Sequence, residues 1–304
     1  EWKWDGIRAQ LIKREGQVIL WSRGEAMVSE QFPEVVEAAA NWPDSVVLDG
    51  ELLVWAGDRP APFSDLQRRL GRKSVSARLR KDAPVVFMAY DILELNGEDL
   101  RKKRTSERRS LLSEYAAGIT EGAFRLSPLV VEDSWARIAE LRENARSRRV
   151  EGFMLKRKEA AYQAGRKKGE WWKWKVSPFT VDAVMVYAQQ GHGRRAGLYT
   201  DYSFSVWDGD QLVPIAKAYS GLSDAEIRKV DRWIRQNTLD SHGPVRVVKA
   251  EQVFEIAFEG INESKRHKSG IAVRFPRILR WRIDKPAAEA DTLENVRSLL
   301  AIDS

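Results

Sequence analysis

The sequence begins with Glu1-Trp2-Lys3-Trp4-Asp5-Gly6-Ile7-Arg8, in which one residue separates a lysine from an aspartate. Residues 7–13 and 17–22 flank Glu15-Gly16, and this arrangement predicts a β-hairpin. Lys3 and Asp5 therefore precede or begin a strand, where side chains two positions apart project to the same face. The pattern predicts that both side chains point into one pocket. On this stretch alone, Lys3 is equally well an exposed strand lysine.

The composition indicates a globular chain of two domains with a polyanionic partner. Its 304 residues are enough for two hydrophobic cores, and 43% hydrophobic and 31% charged residues are ordinary for globular proteins. The 51 lysines and arginines exceed the 44 acidic residues and give a formal charge of +7, which favours a polyanion. Basic runs, which could be solvated turns or phosphate contacts, occur at 101–104, 108–109, 146–149, 166–168 and 265–268.

The chain contains no cysteine and only 3 histidines. This excludes disulfide scaffolds, thiolate zinc sites and cysteine nucleophiles, and argues against a histidine-rich metal site. We therefore expect any metal to be a hard ion with oxygen ligands, such as Mg²⁺. No apolar run approaches the roughly 20 residues that span a bilayer. We expect no membrane association and a cytoplasmic location.

The first part of the chain alternates predicted strands and helices. Strands are predicted at 45–55, at 84–95 before the turn signal Asn96-Gly97, and at 150–156 and 171–176. Helical spacing occurs at 34–41, 104–117 and 134–145, the last with Ser134 as a plausible N-cap. Ser177-Pro178 is the predicted domain boundary, because the pattern changes there.

After that boundary the pattern becomes one of short strands. Strands are predicted at 180–190, 198–207, 211–219, 245–248, 252–260 and 271–283, with one helix at 223–236 that Ser223 caps. Five or so short strands with one helix in about 110 residues are typical of a small Greek-key barrel of the OB type.

A series of short motifs follows one another along the chain. They are Lys3 to Arg8, Ser22-Arg23-Gly24, Leu48-Asp49-Gly50-Glu51, Met88 to Leu93, Glu151-Gly152-Phe153-Met154-Leu155-Lys156, Trp171-Trp172-Lys173-Trp174-Lys175, Arg274-Phe275-Pro276-Arg277 and Arg282-Ile283-Asp284-Lys285. In this order and over nearly the whole chain, they resemble the motifs of ATP-dependent DNA ligases, members of the covalent nucleotidyltransferase superfamily. The resemblance is greatest to the bacterial enzymes.

This resemblance implies an α+β fold with two domains. Residues 1–177 would form a nucleotidyltransferase (adenylation) domain of antiparallel sheets with helices. Residues 178–304 would form an all-β OB-fold domain. The chain begins two residues before Lys3, whereas known members of the family have residues upstream that complete the adenine pocket. We therefore expect a catalytic core that lacks the N-terminal DNA-binding region.

The resemblance assigns the catalytic roles to three lysines. Lys3 would attack the α-phosphate of ATP and carry AMP as a covalent phosphoramidate. Such a nucleophile must be a neutral amine, and nearby positive charge favours that form. Lys173 and Lys175 would supply this charge and contact the α-phosphate, where charge develops during phosphoryl transfer.

The remaining implied roles concern nucleotide and metal. The resemblance places Glu1 at the adenine amino group, Tyr90 on the adenine ring, Arg8 at the ribose and Arg23 at a phosphate, with Asp5 in the pocket of Lys3. Glu51 would contact ribose or a metal, and Glu151 would hold a divalent ion, Mg²⁺ or Mn²⁺. Ordinary salt bridges are the alternative for both glutamates, and core packing is the alternative for Tyr90.

Three cations of the second domain complete the set. Arg277, Arg282 and Lys285 would orient the leaving pyrophosphate when this domain closes, although a basic strand that faces DNA explains them almost as well.

The implied activity is a polydeoxyribonucleotide ligase. Lys3 would first become adenylated, AMP would then pass to the 5′-phosphate at a nick in double-stranded DNA, and the 3′-hydroxyl would finally displace AMP. We expect a monomer. Two alternatives remain open: an RNA ligase or mRNA capping-type nucleotidyltransferase, and a non-catalytic nucleic-acid-binding protein that kept the fold.

Overall fold

The computed structural model describes residues 1–43, 45–119, 122–165 and 167–303. The chain divides into two compact units, Glu1–Val176 and Ser177–Ser304, one residue from the predicted boundary. Arg166, which begins one of the predicted basic runs, lies outside the described residues. Within the described ranges, no helix combines the length and the apolar character that a membrane crossing requires.

The first unit is an α+β structure with two sheets. Its strands are β1 Trp2–Trp4, β2 Ile7–Arg14, β3 Gln17–Ser22, β4 Val46–Ala56, β5 Arg59–Pro60, β6 Val85–Leu95, β7 Glu98–Asp99, β8 Phe124–Leu126, β9 Val150–Lys156 and β10 Trp171–Lys175. Its helices are α1 Pro33–Ala39, α2 Phe63–Gln67, α3 Ala77–Asp82, α4 Thr105–Ala117 and α5 Trp135–Glu143. The larger sheet has the order β3-β2-β4-β6-β7, with β5 beside β4 and β8 beside β6, and the smaller has the order β1-β9-β10.

The predicted hairpin begins the larger sheet. Strands β2 and β3 pair antiparallel, and Arg14 lies opposite Gln17 across the turn. The two turn residues, Glu15 and Gly16, have positive φ angles of 50° and 75°. Two successive positive φ angles match the right-handed twist of the strands that such a turn joins. The Glu15-Gly16 signal therefore corresponds to a tight two-residue turn.

The core of this unit lies on one face of the larger sheet. Leu11, Leu48, Phe87 and Leu112 are buried there, and α4 packs on β6 to cover them. A second, smaller cluster, which includes Leu53, Val86 and Met88, buries the other face of β4 and β6. Because both faces of these two strands are buried, both strands read as long apolar runs.

A buried ion pair fixes the start of helix α4 to β6. Arg108 donates to both carboxylate oxygens of Asp91, at 2.8 and 2.9 Å, and both side chains are buried. Arg108 also donates to the carbonyl oxygen of Lys103 at 2.6 Å. A charge pair is tolerated inside a protein when its remaining donors find partners in this way.

The second unit is built around a strongly paired first strand. Its strands are β11 Phe179–Gln190, β12 Tyr199–Asp208, β13 Gln211–Ala218, β14 Thr238–His242, β15 Val245–Val248, β16 Val253–Phe258, β17 Gly260–Glu263, β18 Ile271–Arg274 and β19 Arg277–Trp281. Its helices are α6 Asp224–Gln236, α7 Leu293–Ser298 and α8 Leu300–Asp303. Strand β11 pairs with β12 on one side and with both β15 and β16 on the other.

The structure confirms the predicted fold class and corrects two details of the second unit. The predicted strand at 271–283 is two strands, because Phe275 has a φ of 53° and Pro276 follows it, which breaks the extended backbone. The described residues also contain β14, β17, α7 and α8, which the sequence pattern did not predict. The predicted helix at 223–236 corresponds to α6, and Ser223 and Glu226 form its capping box.

Candidate active site

The smaller sheet of the first unit brings Lys3, Glu151 and Lys175 together. Lys3 on β1 forms an ion pair with one carboxylate oxygen of Glu151 on β9. Lys175 on β10 lies 3.4 Å from the other oxygen. The side chains of Lys3 and Glu151 are each 16% exposed, so this contact is largely shielded from solvent. One carboxylate therefore joins the predicted nucleophile to a predicted phosphate-binding lysine.

Two glycines of the motifs allow the strands to approach closely. Gly152 has a φ of 121°, and a Cβ there would lie 2.3 Å from the carbonyl oxygen of Trp174. A Cβ on Gly6 would lie 2.2 Å from the carbonyl oxygen of Leu52. No other residue fits either position without moving the backbone. The glycines beside Glu151 and Lys3 are thus required by geometry.

Lys173 lies in the positive field of the same cluster. Partial burial of its ammonium group lowers the pKa of Lys173, and the charges of Lys3, Arg23 and Lys175 lower it further. Arg23, at the turn after β3, is therefore close enough to act on Lys173. This is the concentration of positive charge that the motifs predict around an α-phosphate.

Glu51 is a carboxyl group in an unfavourable environment. Burial raises the pKa of Glu51 to about 8, although the charge of Lys3 opposes this, and Asp49 raises it further. Glu51 accepts a hydrogen bond from the backbone N–H of Gly6 and lies opposite Arg8 in the pairing of β4 with β2. A carboxyl group with a pKa of about 8 is mostly protonated at neutral pH, and additional positive charge nearby would favour its ionised form.

The residues fit a divalent ion that the nucleotide helps to bind. Glu51 and Glu151 are oxygen donors, and both interact with Lys3. Among the described residues, no group of three or more histidine, aspartate or glutamate side chains could hold a metal alone. Mg²⁺ commonly takes one or two carboxylates and completes its shell with phosphate oxygens and water. The site therefore suits an ion that arrives with phosphate.

Arg8 takes part in a network around a buried aspartate. Its guanidinium donates to both oxygens of Asp49, at 3.1 and 2.5 Å, and to the Tyr162 hydroxyl at 3.0 Å. Tyr162 and Tyr90 donate to Asp49 at 2.9 and 3.4 Å. Burial opposes the charge of Arg8, yet the hydrogen bonds that it donates to Asp49 raise its pKa above the ordinary value. The side chain of Arg8 is still 40% exposed, which leaves part of it available for a ribose.

Glu1 is held by two cations beside the ring of Tyr90. Lys156 lies 2.7 Å and Arg109 lies 3.3 Å from its carboxylate oxygens. The Lys156 ammonium also lies 4.8 Å from the centroid of Tyr90 and 4.4 Å from that of Trp171. The predicted adenine-reading residue and the predicted stacking ring are thus neighbours, linked through Lys156.

Asp5 lies just beyond the end of the strand that carries Lys3. Strand β1 ends at Trp4, and its pairing with β9 shifts register between Trp2 and Trp4. The two-residue spacing that we used to place Asp5 beside Lys3 therefore does not determine its direction. Asp5 is half-buried in the connection to β2.

The three predicted cations of the second unit are all paired with carboxylates of that unit. Arg277 donates to Glu259 at 2.8 Å. Arg282 donates to Asp182 at 2.7 Å and also to Asp284, while Lys285 donates to Asp182 at 2.8 Å. The structure therefore brings Arg282 and Lys285 together, whereas Arg277 has a separate partner.

Sequence reasoning missed four residues that take part in these networks. Asp49 and Lys156 stand inside motifs but were assigned no role, and Arg109 belongs to a basic run that was left undecided. Tyr162 had no signal, because it lies in the connection between β9 and β10 and its partner Asp49 is 113 residues away.

Trp172 and Trp174 lie on the opposite face of β10 from Lys173 and Lys175, as strand alternation requires. With Trp135 they line a cavity of about 620 Å³, and the rest of its lining consists of Leu155, Lys156, Arg157 and Lys173, so that Lys173 also borders it. The rings of Trp135 and Trp174 are 5.9 Å apart.

Comparison with known proteins identifies the family. The family described as ATP dependent DNA ligase domain matches residues 1–175, and ATP dependent DNA ligase C terminal region matches residues 195–285. A probable DNA ligase of Koribacter versatilis is 39% identical over 98% of this chain and 55% of its own length. A DNA ligase of Nanoarchaeum equitans is 32% identical over 98% of this chain and 55% of its own length. The chain thus spans about half the length of these relatives.

Solved structures agree with this assignment. The chain is similar to a mycobacterial DNA ligase D complexed with ATP and MES, with 25% identity, a TM-score of 0.51, and coverage of 96% of this chain and 91% of the other. A structure from an analysis of Lig E DNA ligases is 22% identical to this chain, with a TM-score of 0.64. The match covers 92% of this chain and 91% of the other, and it supports the fold alone. The chain belongs to the family of ATP-dependent DNA ligases.

Proposed function

We propose that this chain is the catalytic core of an ATP-dependent DNA ligase that adenylates itself on Lys3. The cluster of Lys3, Glu151, Lys173 and Lys175 is the observation that carries the proposal. It combines an amine nucleophile, a carboxylate in contact with that amine, and two further cations. Phosphoryl transfer needs little beyond such positioning and charge stabilisation.

In the first step the Lys3 amine forms a bond to the α-phosphorus of ATP, and the bond from that phosphorus to pyrophosphate breaks. An ammonium has no lone pair, so Lys3 must first give up a proton, and Glu151 is in position to accept it. Lys173 and Lys175 stabilise the charge on the phosphate oxygens. Glu51 and Glu151 would hold Mg²⁺ or Mn²⁺, which when bound offsets the negative charge of the phosphates.

The later steps transfer AMP to DNA. The 5′-phosphate at a nick attacks the adenylate and releases Lys3, and the 3′-hydroxyl then displaces AMP and joins the strands. The formal charge of +7 supports a polyanionic substrate. In the nucleotide pocket, Glu1 and Tyr90 would bind adenine, Arg8 would bind ribose and Arg23 would bind phosphate. The pyrophosphate would be contacted by Arg277, Arg282 and Lys285. Asp5 would contribute to the pocket of Lys3.

We propose further that the core acts as a monomer on nicked double-stranded DNA in the cytoplasm. Lys3, Glu151 and Lys175 meet within one small sheet of the first unit, and this local arrangement supports a monomer. Light scattering after gel filtration, with and without a nicked duplex, tests the stoichiometry. A stable dimer in both samples would contradict it.

The direct test is covalent labelling. The protein is incubated with α-³²P-ATP and Mg²⁺, and we expect an acid-labile adduct that Lys3→Ala abolishes. Lys158→Ala, at an exposed lysine of the same unit, is the matched control and should label normally. No adduct on the unaltered protein, or an adduct that persists in Lys3→Ala, would refute the mechanism.

Two further measurements separate the alternatives. Excess unlabelled ATP should suppress labelling and GTP should not, whereas a capping-type enzyme would show the reverse. Sealing of a nicked DNA duplex, compared with the same nick in RNA, distinguishes a DNA ligase from an RNA ligase. A chain that binds DNA but forms no adduct would be the non-catalytic alternative.

A further inference from the structure

Asp182 joins two cations of the second unit. Its Oδ2 accepts hydrogen bonds from Arg282 Nη1 at 2.7 Å and from Lys285 Nζ at 2.8 Å. Because both donors contact the same oxygen, they lie within about 5.5 Å of each other. Two like charges at this separation repel, and a shared carboxylate offsets that repulsion. Asp182 therefore determines where both cations can be.

The backbone of Asp182 is itself held firmly. Its N–H donates to the side chain of Asp291 at 2.7 Å, and its carbonyl oxygen accepts from the N–H of Asp291 at 2.8 Å. The residue lies in the middle of β11, where it pairs with Glu255. Its side chain is 12% exposed, and Oδ1 has no hydrogen-bond partner among the described residues. The carboxylate is thus a rigid, shielded acceptor.

The two cations keep donors for another ligand. Arg282 uses Nε and Nη2 on Asp284 and Nη1 on Asp182, and its two terminal nitrogens each carry a second N–H. Lys285 uses one of its three N–H groups on Asp182. Arg282 and Lys285 are 18% and 22% exposed, so the remaining donors have access to solvent. Paired donors of this kind suit the oxygens of a polyphosphate.

We infer that Asp182 is a positioning residue for the ATP-dependent step, and that it holds Arg282 and Lys285 in one arrangement for the pyrophosphate part of ATP. This inference rests on the proposed function. It adds a residue that is remote in sequence from both cations and outside all of the motifs. Asp182 acts through them and does not itself touch the nucleotide.

The test compares two reactions of the same protein. One is self-adenylation with varied ATP, and the other is sealing of a DNA nick that already carries 5′-adenylate, which needs no ATP. For Asp182→Asn we expect the KM for ATP to rise about tenfold in the first reaction, with less than a twofold change in the rate of the second. Asp182→Glu keeps the charge and should recover part of the loss. It also keeps the test valid if Asp182→Asn fails to fold.

A double-mutant cycle tests whether Asp182 acts through Lys285. We expect Asp182→Asn to raise the KM for ATP by a smaller factor in the Lys285→Ala background than in the wild type, because only Arg282 is then left for Asp182 to position. Glu255→Gln is the matched control. Glu255 lies on β16, and its carboxylate pairs with Arg280 of β19 at 2.7 Å, so the substitution removes an ion pair of the same unit. It should leave both reactions unchanged.

Three results would overturn the inference. The first is that Asp182→Asn leaves the KM for ATP unchanged while Lys285→Ala raises it. The second is that the effects of the two substitutions on this KM simply multiply. The third is that Asp182→Asn slows both reactions equally, which would indicate a general loss of structure. A wild-type chain that forms no adenylate overturns the proposed function as well. An active wild type with an unaffected Asp182→Asn overturns this inference alone.

Discussion

Glu51→Gln is expected to stabilise the protein while it impairs catalysis. Burial raises the pKa of Glu51 from the ordinary 4.5 to about 8. Below pH 4.5, the pKa of the carboxyl in the unfolded chain, the group is protonated in both the folded and the unfolded state. Its ionisation then has no effect on the free energy of unfolding. Between the two values only the unfolded state ionises, and the free energy of unfolding falls by about 1.4 kcal/mol per pH unit. Above pH 8 the full cost of about 5 kcal/mol applies.

Glutamine imitates the protonated carboxyl and does not titrate. The difference in unfolding free energy between Glu51→Gln and wild type should therefore grow by about 3 kcal/mol between pH 5.5 and 7.5 in favour of the variant. Urea unfolding at a series of pH values measures this difference, and other titrating groups cancel in it. Glu140→Gln, at an exposed carboxylate of α5, controls for the substitution itself.

The same variant tests the metal assignment. If Glu51 binds Mg²⁺, adding Mg²⁺ and ATP at pH 8 should stabilise the wild type more than Glu51→Gln, because binding to the folded state alone raises its stability. Adenylation by the variant should fall at the same time. A difference in stability that does not change with pH, or that favours the wild type, would refute the reasoning about burial.

Three further substitutions test the framework of the site, each by urea unfolding against wild type. Gly152→Ala forces a Cβ against the carbonyl oxygen of Trp174 and should cost about 3 kcal/mol; a neutral effect would contradict the strand geometry. Arg108→Ala leaves the Asp91 carboxylate buried without its partner and should cost about 3 to 5 kcal/mol, whereas a surface-like loss below about 1 kcal/mol would show that the pair is hydrated. Tyr162→Phe removes the hydroxyl that donates to the buried Asp49 and accepts from Arg8, and it should cost about 1 to 3 kcal/mol; an unchanged midpoint would argue against this network.

The elements with strong local signals could be predicted from the sequence. The β2–β3 hairpin has alternating residues and a turn dipeptide, and helix α6 has the capping residue Ser223. Helices α2 and α3 could not be predicted, because each is a short segment that buries a single apolar residue, Leu66 or Leu79. Such helices depend on tertiary packing and not on their own periodicity.

For the site, the sequence supplied the residue types, and folding supplied their partners. The motifs named Lys3 and Glu151, and the pairing of β1 with β9 brings them into contact. The roles of these residues remain predictions. That Asp49 also accepts a hydrogen bond from Tyr162 could not be inferred, because Tyr162 lies in the connection between β9 and β10, where the sequence has no periodic pattern.

The smaller sheet has a consequence for the order in which this unit assembles. Its first strand comes long before its partners in the sequence: Trp2 pairs with Phe153, and the third strand ends only at Lys175. Contacts between residues so far apart in sequence form late, since they require a large loop to close. We therefore expect the nucleophile to remain in an unfinished edge until nearly the whole first unit has left the ribosome. Until then Lys3 lacks its ion pair with Glu151, so we expect adenylation to begin only after β9 has paired with β1.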